Sequence, residues 1–256
     1  MNITIENIEV FLLILIRITG FIFTAPFFSL SNVPKRVQIG LSVFMAIVIY
    51  GSIDRVTLEY SGVTGYAGLV IVEFAVGAII GFVMNSCIQI LSFSGQIIDM
   101  EIGFSMVNTM NPTANMTSTV TGNLYTYLIM LVLLASDLYH YILKAIIDAF
   151  TFIPVGKAVF DINIYTVMLT FVKDYFVIGF RIVLPIFAAT LMVNVVLGVL
   201  AKVAPQMNMF VIGLQLKVFV GLILIVLAAK YIPVVADMIY EEMKFMANQV
   251  VGLMSP

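Results

Sequence analysis

Four charged residues stand inside long apolar runs: Arg17, Glu73, Arg181 and Lys217. A charge placed there needs a partner or water, because an apolar medium does not replace its hydration. Three chemistries follow: a proton or ion relay, pairing within a helix bundle or between subunits, and snorkelling of the charged head to a polar surface. The four residues are scattered and share no spacing, which favours pairing over a relay.

Asp137, His140 and Tyr141 have the side chains of a triad, but no activated nucleophile is identifiable by spacing. His140, the one histidine, reads as a helix-end or interfacial group. No HExxH, paired CxxC, phosphate-binding glycine loop or zinc-ligand spacing occurs. The sequence therefore reads as non-enzymatic, with no catalytic residue, cofactor or metal. One cysteine, Cys87, cannot form an intramolecular disulfide and reads as a buried thiol.

These residues need elements to hold them, and the composition says of what kind. The chain has 256 residues, of which 62% are hydrophobic and 10% charged. An ordinary soluble domain carries roughly 25% charged residues, and one of this size could not hide so much apolar surface in its own core. Lipid or partner subunits must form part of its surroundings. The net charge of −2 includes no basic block able to hold a nucleic-acid backbone.

Apolar runs cover residues 8–30, 37–53, 66–98, 124–147, 164–200 and 207–232, giving five or six helical elements. A membrane helix needs roughly 20 residues, and two of these runs exceed that by half or more, so they must tilt, kink, leave the bilayer or pack on other subunits. Pro185 supplies a cause for a kink. The first run begins with Glu6 and Glu9 rather than a basic stretch, so it reads as a retained helix and not a signal peptide. Lys35 and Arg36 favour a cytoplasmic first turn, with the amino terminus outside. Residues 233–256 read as a polar, short-helical tail.

Glu73, Gly77, Gly81, Asn85 and Gln89 recur every four residues, a slanting stripe of small and polar groups on one helix face. Gly77 and Gly81 form a GxxxG pair that permits close helix approach. Packing within the bundle, or a face toward another subunit or a lumen, both fit. A second stripe runs through Thr190, Asn194, Gly198 and Lys202 to a polar corner, "AKVAPQMNMF". Pro205 breaks a helix there, and Gln206 and Asn208 can satisfy the backbone groups so exposed. A helical hairpin results, whose corner lies in the headgroup zone or among subunits.

The stretch Gly103–Asn123 carries no charge and is rich in Thr, Asn, Ser and Met, with Pro112 near its middle. So long an uncharged loop is uncommon, and its backbone could not lie against lipid. It is either an extramembrane loop or one that lines or blocks a cavity. Met106, Met110 and Met116 could form a deformable seal in it.

At "RIVLPIFAATLMVNVVLGVLAKVAPQMNMFVIGLQLKVFVGL" the chain resembles the FliR family of flagellar export-gate proteins, whose injectisome counterpart is more distant. "RITGFIFTAPFF", "GFVMNSCIQILSFSGQIIDMEIGFSM", "NPTANMTSTVTGNLYTYL" and "FTFIPVG" match in the expected order. The family often has proline where Gln215 stands, which puts a second kink there in doubt. The resemblance implies an all-α integral membrane protein of long kinked helices and helical hairpins. It implies a FliP-like part over 1–160, including the 103–123 plug-like loop, and a FliQ-like long hairpin over 161–232 with its corner at 202–208. A polar tail, 233–256, follows.

By the same resemblance, the partners are FliP-like and FliQ-like membrane proteins, the FlhB-like export switch protein and an FlhA-like export protein. The cargo is unfolded flagellar subunits, and membrane lipid surrounds the assembly in the bacterial inner membrane, within the flagellar basal body. The loop Gly103–Gly122 is implied to plug the closed channel, which places Met106, Met110, Asn111, Pro112 and Met116 at the gate. The alternative is a small-molecule secondary transporter, supported by broken helices and intramembrane charges but lacking an inverted repeat.

Overall fold

The chain runs as a succession of long helices, the second of which starts directly after Pro34 at its N-cap. The computed structural model describes residues 5–30, 32–53, 58, 60–104, 119–204, 206 and 208–256. Eight α-helices occur among them: α1 (Ile5–Thr24), α2 (Lys35–Ser52), α3 (Gly62–Ile102), α4 (Val120–Ala135), α5 (Tyr139–Phe152), α6 (Ile164–Val203), α7 (Met209–Ala228) and α8 (Ile232–Met254). A single 3-10 turn, Ala229–Tyr231, joins the last two. No strand occurs among the described residues.

Four of the spans are long and apolar enough to cross a membrane, and α4 with α5 forms a fifth if that bent pair counts as one. With this composition, the chain is an all-α membrane protein. At ~1.5 Å per residue, the 41 residues of α3 and the 40 of α6 each extend about 60 Å. That is about twice the ~30 Å hydrocarbon core of a bilayer. α6 runs through Pro185 with no break in the helix.

The described residues divide into two compact units, one formed by 1–87, 136–171 and 240–256, the other by 88–135 and 172–239. In the first, α1 packs on α2, and its fully buried stripe is Leu13, Ile14, Ile18, Phe21 and Ile22. The spacing is the helical one that gathers residues on a single face. α2 buries Gln38, Ser42, Met45, Ala46 and Ile49 at the same spacing. Its other face leaves Phe44, Ile47 and Val48 exposed.

In the second unit, Phe93 of α3 sits among Tyr175, Phe176 and Phe180 of α6, with ring centroids 5.3 to 5.9 Å apart. Ser94 Oγ donates to the carbonyl of Gly179 at 3.1 Å. The Leu197 side chain of α6 lies over Gly213 of α7, so these two helices fold back on each other.

Three elements differ from the sequence reading. The apolar run 124–147 is two helices, α4 and α5, with a break at 136–138. Asp137 between them takes φ 57, a left-handed conformation that interrupts the helical ladder. The run 66–98 continues as helix to Ile102, carrying Asp99 and Glu101. Residues read as a short-helical tail form the 23-residue α8. Its apolar residues Ala236, Ile239, Met243, Met246, Ala247, Val250 and Met254 follow helical spacing and are almost wholly buried. The polar residues between them mask this stripe when the segment is read as composition alone.

Candidate functional site

Small residues on α1 and α3 set the first arrangement. A Cβ on Gly77 would overlap the carbonyl oxygen of Arg17, and one on Gly81 would overlap Thr24 and Phe21. Gly20 faces Phe74 in the same way. The two backbones are therefore close enough for Thr24 Oγ1 to donate to the carbonyl of Ala78 at 3.1 Å.

This close approach brings Arg17 and Glu73 together. Arg17 Nε donates to Glu73 Oε2 at 2.5 Å and Nη2 donates to Oε1 at 3.0 Å, a bidentate pair. Both side chains have 0% exposure. The third guanidinium nitrogen, Nη1, donates to the carbonyl of Ile153 at 2.7 Å. Glu73 Oε1 also accepts the N–H of Gly156 at 2.7 Å. The Phe150 ring centroid lies 4.4 Å from the guanidinium carbon. Gly156 has φ 78, a conformation that glycine adopts without a Cβ penalty. The turn after α5 is thus held by both members of the ion pair. Each of the three guanidinium nitrogens has an acceptor, and the geometry of the pair is that of a structural lock.

The second arrangement lies in the other unit, where α3 ends and α4 begins. Gly103 takes φ 96 and closes α3, its N–H donating to the carbonyl of Asp99 at 3.0 Å. The Asp99 carboxylate accepts the N–H of Val120 at 2.7 Å and the N–H of Thr121 at 3.2 Å. It also accepts the Thr121 hydroxyl. A Cβ on Gly95 would overlap the backbone of Gly122. Asp99 was not among the residues singled out by sequence. A carboxylate at the end of an apolar run looks like an exit to water, whereas here it is 5% exposed.

The remaining predicted residues fall as follows. Met106, Met110, Asn111, Pro112, Met116 and Pro205 lie outside the described residues. Along the first stripe, Glu73, Gly77 and Gly81 are buried, Asn85 is half-buried and Gln89 is exposed. Tyr175 Oη donates to the main-chain carbonyl of Gln89 at 3.2 Å. Thr190 is buried, and its hydroxyl lies 3.3 Å from Glu101 Oε2 and 2.9 Å from the carbonyl of Phe187. Asn194 is half-buried, while Gly198, Lys202, Gln206 and Asn208 are exposed. Asn208 stands at the N-cap of α7 without a side-chain capping bond. Its carbonyl accepts the N–H of Ile212 at 3.2 Å, so the helix start rests on backbone rather than on the expected amide.

Arg181 is exposed and Lys217 half-buried. Arg181 borders a mainly apolar cavity of about 370 Å³ with Tyr125, Ile129, Pro185, Tyr231 and Met238. Asp137, His140 and Tyr141 do not converge. His140 Nδ1 is 3.2 Å from the main-chain oxygen of Asp137, and the imidazole stacks on Tyr139. Tyr141 instead donates to Asn248 Oδ1 at 3.3 Å. Among the described residues no three His, Cys, Asp or Glu side chains are grouped to hold a metal.

Comparison with known proteins agrees with this picture of a helical membrane protein. The family model for bacterial export proteins, family 1, matches residues 8–243. A flagellar biosynthetic protein FliR from Bacillus subtilis (strain 168) is 30% identical over 245 residues, covering 94% of each chain. The protein of that name from Escherichia coli (strain K12) is 27% identical over 87% of this chain and 84% of its own. That from Aquifex aeolicus (strain VF5) is 26% identical over 93% of this chain and 92% of its own.

Proposed function

This chain belongs to the bacterial export proteins, family 1, and from that membership we propose that it is a multi-pass membrane component of the flagellar export apparatus. More finely, it forms part of the wall and gate of a channel that passes unfolded flagellar subunits across the inner membrane. It does so together with FliP-like and FliQ-like membrane proteins, near FlhB-like and FlhA-like partners. The part before residue 161 is the FliP-like portion and the fold-back of α6 on α7 the FliQ-like hairpin. The uncharged segment between α3 and α4 blocks the closed path.

One observation carries this reading. α6 is about 60 Å long at ~1.5 Å per residue, yet its second half remains as apolar and exposed as its first. Met192 is 72% exposed, Val195 64% and Val203 75%. A bilayer core of ~30 Å can shelter only about half of such a helix. The rest requires protein neighbours, since an apolar stripe of this length in water would be costly. Uncharged side chains in 103–119 suit a segment that must be displaced by cargo of varied charge, because none of them would hold one cargo charge strongly.

The test is purification of the tagged chain from its native membrane. The expected result is a complex containing two other small membrane proteins in fixed ratio. Deleting residues 105–118 should raise leakage of small solutes through the assembled complex. A chain that purifies alone and transports a small molecule by itself would overturn the reading in favour of a secondary transporter.

A further inference from the structure

α6 and α7 run side by side in opposite directions, and their register fixes which residues share a level. Leu197 lies over Gly213. Arg181 stands 16 residues before Leu197, and Ala229 stands 16 after Gly213. Arg181 is therefore level with the 3-10 turn Ala229–Tyr231 that joins α7 to α8. The cavity beside Arg181 agrees, since its wall combines Arg181 and Pro185 of α6 with Ala228 and Tyr231. At the other end of the hairpin stand Lys202, Gln206 and Asn208. The 20 residues of α7 separate the two levels. At ~1.5 Å per residue that is about 30 Å, the thickness of a bilayer core. Between them α6 has no charged residue from Ile182 to Ala201, and α7 has Lys217 alone.

The level of Arg181 has the chemistry of a lipid headgroup zone. Arg181, Lys230 and Tyr231 are exposed, and Lys230 Nζ lies 5.0 Å from the Tyr231 ring centroid. Aromatic and basic side chains gather where membrane meets water, and cations there attract anionic headgroups. Among the described residues Arg181 has no hydrogen-bond or ion-pair partner, in contrast to Arg17. The cavity of about 370 Å³ that it borders lies wholly within the second unit. Ile129, Ile182, Ile232 and Val235 line it, and Arg181 is the one charged side chain among its described walls. A guanidinium beside an apolar cavity complements an amphiphile, with an anion at one end and a hydrocarbon chain behind it. Size selects between occupants. A cavity in this range suits a small molecule or a single chain, whereas a partner helix is roughly 10–12 Å across.

We propose that this cavity is a binding site for an anionic phospholipid. Its phosphate pairs with Arg181, and its acyl chain enters between α4, α6 and α8. Lys230 adds a second positive charge at the same level.

The experiment uses the tagged full-length chain, purified in mild detergent with the proteins that accompany it. Phosphatidylglycerol or phosphatidylcholine of equal chain length is added back, and bound lipids are counted by native mass spectrometry. The parental complex should hold phosphatidylglycerol the more tightly. Arg181→Gln should lower that preference about fivefold, the effect of one basic residue near an anionic headgroup. Arg181→Lys keeps the charge and should keep most of the preference. Ala228→Phe fills the cavity and should lower the count of tightly held phosphatidylglycerol. Lys217→Gln lies away from the cavity and should match the parent. Equal binding of the two lipids by the parent, an unchanged preference in Arg181→Gln, or an unchanged count in Ala228→Phe overturns the site. If Arg181→Gln instead loses an accompanying protein while phosphatidylglycerol binding persists, Arg181 pairs with a partner's carboxylate and the lipid site is refuted. Should Ala228→Phe fail to assemble, Arg181→Gln against Arg181→Lys decides alone.

Discussion

Arg17 and Glu73 are 56 residues apart in the chain and form a bidentate ion pair from which water is excluded. Their meeting depends on Gly77, whose missing side chain lets the backbone of α1 descend onto α3 at Arg17 itself. The glycine sits one turn after the glutamate, so helix contact and charge pairing are encoded on one face. The carbonyl of Ile153 and the amide of Gly156 complete the network, tying the turn after α5 to the same point.

Removing one member of this pair should be more harmful than removing both. A buried charge left without its partner costs about 3–5 kcal/mol, whereas replacing a buried pair with apolar residues is often close to neutral. Arg17→Met and Glu73→Leu singly should each lower stability by about that amount. The double variant should recover much of the loss, but not all, because Ile153 O and Gly156 N–H would still lack their partners. Unfolding of the purified protein in detergent measures this, and strictly additive losses would show that the two side chains are not coupled.

Glycines on α3 should respond in opposite directions. Gly77→Ala places a methyl group into the Arg17 carbonyl, and overpacking of this sort costs about 1–3 kcal/mol or more. Gly68 lies in the same helix with open space where its Cβ would stand. Gly68→Ala should therefore stabilise by about 0.5–1 kcal/mol through helix propensity. Thermal unfolding of both variants side by side checks the pair. Equal effects would mean that α1 and α3 do not approach closely at Gly77.

The helices and the close-packing face were legible in the sequence because they depend on periodicity and on the smallest residue. Gly77 and Gly81 announce a near approach, although spacing alone does not name the facing helix. Arg17 and Glu73 were visible as charges needing partners, but their mutual pairing depends on a contact 56 residues long in sequence. Asp99 was invisible for the opposite reason: it stands beside Glu101 at the end of an apolar run, where a carboxylate looks like an exit to water. α8 was hidden by its polar residues, since composition conceals a stripe that only the helical period reveals. The break at Asp137 comes from a local backbone state, φ 57, which aspartate adopts more readily than most residues with a side chain but which composition does not encode.

The last turn of α8 should be required for the fold of the first unit. The carbonyls of Leu253 and Met254 accept the N–H groups of Asp161 and Val159 at 3.1 and 3.2 Å. Met246, Val250 and Met254 have 0% exposure. Ending the chain after Gln249 would remove these acceptors together with the side chains of Val250, Val251 and Met254. Burial of each such side chain is worth about 1.5–3 kcal/mol, so the shortened chain should accumulate poorly in the membrane. Ending it after Met254 should leave the level unchanged. Immunoblots of membrane fractions distinguish the two, and normal accumulation of the shorter chain would show that the last turn of α8 is dispensable.

The outer part of α6 offers a test of what covers it. Met192 is 72% exposed and stands in an apolar stretch, so its environment decides how a charge there is received. Facing water, Met192→Glu would be tolerated with every partner retained. Facing lipid, the same change would oppose insertion, since an acidic group near the middle of a bilayer costs about 2.5–3.5 kcal/mol on insertion scales. Facing an apolar surface of another chain, it would leave this chain in the membrane yet prevent the neighbour from docking, because the buried carboxylate would have no counter-charge. The third result is expected: unchanged abundance of the variant in membrane fractions, with several-fold less partner protein recovered on its affinity tag. The charge-free control Met192→Leu should recover the partners in full, since it conserves volume and polarity.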